Sequence, residues 1–202
     1  MTGAPWDQRL ARVLVRPLVG TPIRPNHITT LSLALALGAG ALYARGEAVA
    51  ANWAAALFVL ARFLDHADGE LARLTGRASR FGHHYDFAVG GLSSAALFMG
   101  IGVGLRQGIV GEWSLAAGIA AGSCALIAMA LGLGVEARQS PWPGTYYPAF
   151  GGFELEDGIY LVAPLTWLGA LLPFFVLAAT GQVVFCLWML HKFVRARAPS
   201  RD

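Results

Sequence analysis

The chain has 202 residues, of which 56% are hydrophobic and only 13% charged, with a positive mean hydropathy. That balance is far greasier than a water-soluble domain's and reads as an integral membrane protein. A net charge of +3 is accounted for by contacts with anionic lipid, so no nucleic-acid partner is expected.

From Pro5 to Leu18, Trp6, Leu10, Val13 and Leu14 recur at i, i+4, i+7 and i+8, while Arg9, Arg12 and Arg16 cluster on a displaced face. The pattern predicts an amphipathic helix over about 5–18 lying in the membrane interface, with a helix packed on the bundle as the plainer alternative. Because these arginines interrupt any apolar core, no cleavable signal peptide is expected, and the first span acts as the insertion signal.

Apolar stretches able to cross a ~30 Å hydrocarbon layer at roughly 20 residues each fall at about 27–45, 50–72, 83–106, 113–135, 157–177 and 179–195. The last two are expected to join near Thr180-Gly181. The expected fold is an all-α integral membrane protein, one domain over 1–202, with six transmembrane helices over about 27–195 and the interfacial helix before them. Small-residue runs such as Gly38-Ala39-Gly40-Ala41 and Gly100-Ile101-Gly102-Val103-Gly104 predict close helix contacts. Cys124 and Cys186 fall inside spans without a CxxC partner and read as buried, inert thiols.

Arg9, Arg12, Arg16 and Arg24 precede the first span, Arg73, Arg77 and Arg80 separate the second from the third, and Lys192, Arg195, Arg197 and Arg201 follow the last. Only Arg45 and Arg106 lie on the other side, so both termini and the 65–86 segment are expected at the cytoplasmic face of a bacterial inner membrane. Before the fifth span, Pro141-Trp142-Pro143-Gly144 and Tyr146-Tyr147-Pro148 read as an ordered interfacial loop, and Glu154, Glu156 and Asp157 as a solvated acidic stretch.

The chemistry concentrates between the second and third spans. Asp65 and Asp68, three residues apart, share a face near the cytoplasmic end of a helix, and Asp86 at the start of the next can point back at them. An ionised carboxylate deep in a bilayer costs on the order of 3 kcal/mol, so such a cluster persists only when neutralised. Mg²⁺ or Mn²⁺ held by carboxylate oxygens and phosphate would do so. Gly69 and Ala72 keep the surface beside the aspartates bare, and Arg73 sets a positive charge nearby, as phosphate recognition requires. The plainer reading makes the aspartates helix-end groups and Arg73, Arg77 and Arg80 topology determinants.

In order, Asp65, Asp68, Gly69, Ala72, Arg73, Gly82 and Asp86 resemble the signature of the CDP-alcohol phosphatidyltransferase family, and the Pro25-Asn26-His27-Ile28-Thr29 approach to the first span is similar to that family's. The resemblance implies transfer of a substituted phosphoryl group from a CDP-linked donor to an alcohol acceptor, with release of CMP, at a two-metal site facing the cytoplasm. It implies Asp65, Asp68 and Asp86 as metal ligands and Gly69, Ala72, Arg73 and Gly82 as the CDP pocket, which Arg77 adjoins. A homodimer is compatible with the resemblance and with the many small-residue faces.

The signature departs at position 90, where the family's last aspartate, ligand and general base, is replaced by Gly90 followed by Gly91. Another group then serves as base, with Glu70, His83 or His84 in the same segment and Glu154, Glu156 or Asp157 beyond it; or the glycine inactivates the site; or it makes room for an unusual acceptor. Asp86, Glu70 and His83 are the catalytic candidates, and His83 and His84 cannot both face the metals, being about 100° apart on a helix. A small cation transporter and a non-catalytic CDP- and metal-binding protein of the same fold are the competing functions. Arg138 and the C-terminal basic residues are candidates to assist an anionic headgroup.

Overall fold

The computed structural model describes residues 6–137, 149–150 and 153–195. Expectations placed on Arg138, on the 141–148 loop and on Arg197 and Arg201 lie outside the described residues, as do the side chains of Trp6, Arg9, Glu154, Glu156 and Asp157.

Helix α1 (Trp6–Val15) runs into a single 3₁₀ turn, Arg16–Leu18. Four long helices follow: α2 (Pro25–Tyr43), α3 (Ala48–Thr75), α4 (Arg80–Leu105) and α5 (Glu112–Glu136). A two-residue antiparallel strand pair, Ala149–Phe150 with Phe153–Glu154, leads into a 3₁₀ stretch, Leu155–Leu161, that continues as α6 (Val162–Trp167). Helix α7 (Leu171–Arg195) closes the described chain.

Helices α3, α4, α5 and α7 are each long and apolar enough to cross a membrane; α2 has 19 residues, and the Gly158–Trp167 segment is a shorter apolar helix. The division of the last two spans differs from the expected one. Helix α7 passes through Thr180-Gly181 unbroken, and the chain reverses instead around Gly169, at φ 74°. Thr180 donates its hydroxyl to the Val176 carbonyl at 2.8 Å, so it is satisfied inside the helix, and in an apolar setting a break there would strand backbone groups. The short 3₁₀–α6 segment lies along α3, and long side chains extend its reach: Tyr160 Oη lies 3.2 Å from His66 Nδ1, and Trp167 Nε1 donates to the Asn52 carbonyl at 3.2 Å. Asn52 and His66 are about 21 Å apart along α3.

Helix α2 packs against both α3 and α4, which make little contact with each other. The contacts are close because the facing residues are small: a Cβ built on Gly100 would stand 2.2 Å from the Gly40 carbonyl oxygen, and one on Gly40 2.6 Å from that of Ala96. Gly38 faces open space, so the two glycines of that run do different jobs. Ala36, Ala39, Ala54, Ala55 and Ala61, with Phe58, Leu97 and Ile101, fill the core, as expected where dispersion and close approach hold helices together. Tyr43 and Thr166 tie α2 to α6 through hydroxyls 3.0 Å apart. Cys124 and Cys186 are free thiols in a smaller cluster between α5 and α7.

Helix α1 docks on α3 through Ala11 and Val15, which pack with Ile28, Ala67 and Leu71. Leu10, Val13 and Leu14 stay 45%, 61% and 55% exposed, so the expected apolar stripe points away from the bundle.

Candidate active site

The turn between α3 and α4 is built by two local signals. Gly76, at φ 64°, ends α3 in the left-handed conformation that spares glycine a Cβ clash. Ser79 then caps α4, its hydroxyl accepting the Gly82 N–H at 3.0 Å. Between the ends of α3 and α4 at this turn and the start of α2 lies a cavity of about 180 Å³.

Its walls come from three helices and the turn: Pro25, Asn26 and Thr29 on α2; Asp68, Gly69, Ala72 and Arg73 on α3; Arg77, Ala78 and Ser79; and Gly82, His83 and Asp86 on α4. The cavity therefore gathers Asp68, Gly69, Ala72, Arg73, Arg77, Gly82, His83 and Asp86, all singled out in the sequence, together with the Pro25–Thr29 approach. Asp68 is 3% exposed and accepts a hydrogen bond from the equally buried Thr29 hydroxyl. The Arg73 guanidinium lies over Gly69, 3.6 Å from where a Cβ would stand. At Gly82 a Cβ would come 3.1 Å from Ser79 Oγ and 3.2 Å from Asn26 Oδ1, so a side chain there would press on both the cap and the α2 wall. Both histidines are exposed, but only His83 lines the cavity, with Nε2 2.9 Å from the Glu136 carboxylate at the end of α5, in keeping with their 100° offset.

Two of the expected site residues lie outside the cavity lining. Asp65 is not among the residues lining the cavity; it pairs with Arg62, Nη1 to Oδ2 at 2.7 Å, both side chains being about nine-tenths buried. Arg62 stands one turn before Asp65 on the same helix, which sets its guanidinium beside that carboxylate. Glu70, a candidate base, also stands outside the lining, with one oxygen 2.9 Å from Arg12 Nε and the other 2.7 Å from Arg73 Nη2. A carboxylate so engaged is poorly placed to take a substrate proton.

No group of three acidic, histidine or cysteine side chains that could hold a metal ion occurs among the described residues. Asp68 and Asp86 remain as hard oxygen donors in one phosphate-sized cavity, a set that suits Mg²⁺ or Mn²⁺, since Mg²⁺ commonly takes one or two carboxylates and completes its shell with water and phosphate oxygens. Position 90, one turn beyond Asp86, is open: nothing lies within 4 Å of a Cβ built on Gly90. Gly91 is closed, a Cβ meeting Met129 at 2.7 Å.

The sequence reading missed Thr29 as a partner of Asp68 and Glu136 as a partner of His83. Thr29 lay in the quoted Pro25–Thr29 run, which was a usable signal; the pairing of Glu136 with a residue 53 positions away had none.

Residues 23–194 match the family model described as CDP-alcohol phosphatidyltransferase. The chain is 32% identical over 90 residues to an archaetidylinositol phosphate synthase from Pyrococcus horikoshii, a match spanning 44% of this chain and 46% of that relative, so the aligned part is about half the length of the curated relative. Among solved structures it resembles the phosphatidylinositol phosphate synthase of Mycobacterium tuberculosis with CDP-DAG bound, at 20% identity and a TM-score of 0.69, covering 98% of this chain and 99% of that one. The same enzyme in complex with manganese and citrate also gives a TM-score of 0.69 at 20% identity, covering 96% and 92% of the two chains.

Proposed function

The chain belongs to the CDP-alcohol phosphatidyltransferase family, and from that premise we propose that it moves a substituted phosphoryl group from a CDP-linked donor to an alcohol acceptor, releasing CMP, in phospholipid or related polar-lipid synthesis. The observation that carries this reading is the single cavity that joins Asp68 and Asp86 to Gly69, Ala72, Arg73, Arg77 and Gly82. Gly69 and Ala72 add no bulky side chain to the wall where a nucleotide would lie, and Arg73, whose guanidinium lies over Gly69, and Arg77 offer charge to its phosphates. Asp68 and Asp86 would hold Mg²⁺ or Mn²⁺, which when bound supplies charge neutralisation for the diphosphate and the CMP leaving group. Thr29 orients Asp68 by its hydrogen bond. Asp65, a ligand by family resemblance, pairs with Arg62 through Oδ2 and would offer its other carboxylate oxygen to a second metal.

With no carboxylate at position 90, His83 is the group assigned to the acceptor's proton. It faces the cavity, and the Glu136 carboxylate holds its Nε2 and would stabilise the imidazolium once the proton has moved to Nδ1. His83 stands about 10.5 Å from Gly90 along α4, so the acceptor hydroxyl would be met at the cytoplasmic mouth.

The cavity mouth faces the cytoplasm in this reading, because basic residues crowd the same end of the bundle. Helix α2 and the shorter apolar 3₁₀–α6 segment beside α3 are the fifth and sixth membrane segments, and α1 lies in the interface on its exposed Leu10, Val13 and Leu14.

The test is CMP release by purified protein with Mg²⁺ or Mn²⁺, a panel of CDP-linked lipid donors including CDP-diacylglycerol, and candidate alcohols. Since the two named relatives are an archaetidylinositol phosphate synthase and a phosphatidylinositol phosphate synthase, inositol phosphate is the first acceptor to try. Indifference to every CDP donor sinks the reading. Gly90 favours a second reading, a binding protein without turnover; it predicts metal-dependent CDP binding but no CMP release with any acceptor.

A further inference from the structure

Glu70 is the most completely engaged carboxylate on α3, and it lies between two arginines of different elements. Its side chain is 3% exposed, with Oε2 accepting from Arg12 Nε at 2.9 Å and Oε1 accepting from Arg73 Nη2 at 2.7 Å and Nε at 3.2 Å. Arg12 belongs to α1, whereas Arg73 lines the cavity and covers Gly69. The same α3 turns that carry Asp68 also carry Ala67 and Leu71, on which α1 docks.

The charges of this trio have a consequence for the cavity. A Glu70–Arg73 pair alone would be neutral, its guanidinium largely spent on the buried carboxylate beside it. With Arg12 sharing that carboxylate, two cations face one anion, and the cluster at the cavity wall carries a net positive charge. Each carboxylate oxygen is also held from a fixed side, which orients the Arg73 fork.

We propose that Arg12 is a positioning residue for the donor phosphates: docking of α1 places Arg12 on Glu70, which both orients Arg73 and leaves it positive toward the cavity. This rests on the reading that the cavity takes a CDP-linked donor. Helix α1 is therefore part of the binding machinery without lining the cavity, and by linkage donor occupancy and α1 docking stabilise each other.

The test uses the full chain in anionic nanodiscs with Mn²⁺ and CDP as the probe, measuring Kd by calorimetry and amide exchange over Ala11–Val15 with and without CDP. Arg12→Gln is expected to raise the CDP Kd by about fivefold or more, while Arg12→Lys, which keeps the charge, restores most of the affinity. In the wild type, CDP is expected to slow exchange across Ala11–Val15. Equal CDP affinity in Arg12→Gln and wild type overturns the proposal, as does a Lys variant as weak as the Gln variant. If Arg12→Gln does not fold, the wild-type exchange decides alone: protection by CDP supports the coupling, and its absence refutes it. Wild-type protein that binds no CDP instead refutes the functional reading on which the proposal stands.

Discussion

Gly100→Ala places a methyl group 2.2 Å from the Gly40 carbonyl oxygen, about 1.2 Å short of ordinary contact. The obstacle is backbone on both helices, so no side chain can swing aside and α2 must move away from α4. Overpacking of this kind costs about 2–3 kcal/mol, against about 1 kcal/mol gained by replacing a helical glycine with alanine, leaving a net loss of about 1–2 kcal/mol. Gly38→Ala is the control: it lies on the same helix as Gly40 with nothing within 4 Å, and should gain up to about 1 kcal/mol. The two variants should therefore differ by about 2–3 kcal/mol in equilibrium unfolding by SDS in mixed micelles, followed by tryptophan fluorescence. The displacement also reaches the cavity, because Asn26 and Thr29 on α2 oppose Gly82 and Asp86 on α4, so CDP affinity should fall with stability in Gly100→Ala. If the two variants unfold alike, the close approach of α2 and α4 does not hold the bundle together.

Arg62→Ala removes the cation beside buried Asp65 and should cost about 3–5 kcal/mol in the same unfolding assay; a loss below about 1 kcal/mol would mean that the pair is effectively solvated. Thr29→Val deletes the hydrogen bond to Asp68 and should weaken Mn²⁺ binding, read by electron paramagnetic resonance, by about tenfold or more, whereas unchanged binding would remove Asp68 from the ligand set. His83→Gln should lower CMP release by about 10²–10⁴-fold with CDP affinity retained. Gly90→Asp, which has open space for its side chain, should restore part of that loss in the His83→Gln background. No effect of His83→Gln would assign the proton elsewhere. Gly91→Asp, driven into Met129, should destabilise the fold instead.

Much of the site was legible because its groups lie close in sequence on two helices joined by a short turn. Asp68, Gly69, Ala72 and Arg73 share one helix surface by 3.6-residue periodicity, and Gly76 and Ser79 carry their own stop and start signals. The roles of Asp65 and Glu70 were not legible. The sequence offered Asp65 as a metal ligand and Glu70 as a base candidate but not their ion pairs, because a carboxylate's partner is decided by the nearest cation in space. For Asp65 that is Arg62 on the same helix, and for Glu70 it includes Arg12, 58 residues away. Span positions were readable from hydropathy, while the break between the last two was not, since Thr180-Gly181 is a weak point only if the helix has no means of satisfying it.

Composition and periodicity by themselves determine a helical membrane protein with its acidic and basic residues gathered at one end, because burial of apolar surface and internal pairing of backbone groups are demands each segment meets locally. Tertiary structure decides the rest. Packing of α2 against both α3 and α4 brings Asn26 and Thr29 to the wall that Asp68 and Asp86 share, and docking of α1 brings Arg12 to Glu70. Both are contacts between distant segments, settled by which surfaces fit and which charges are left to be neutralised once the helices assemble.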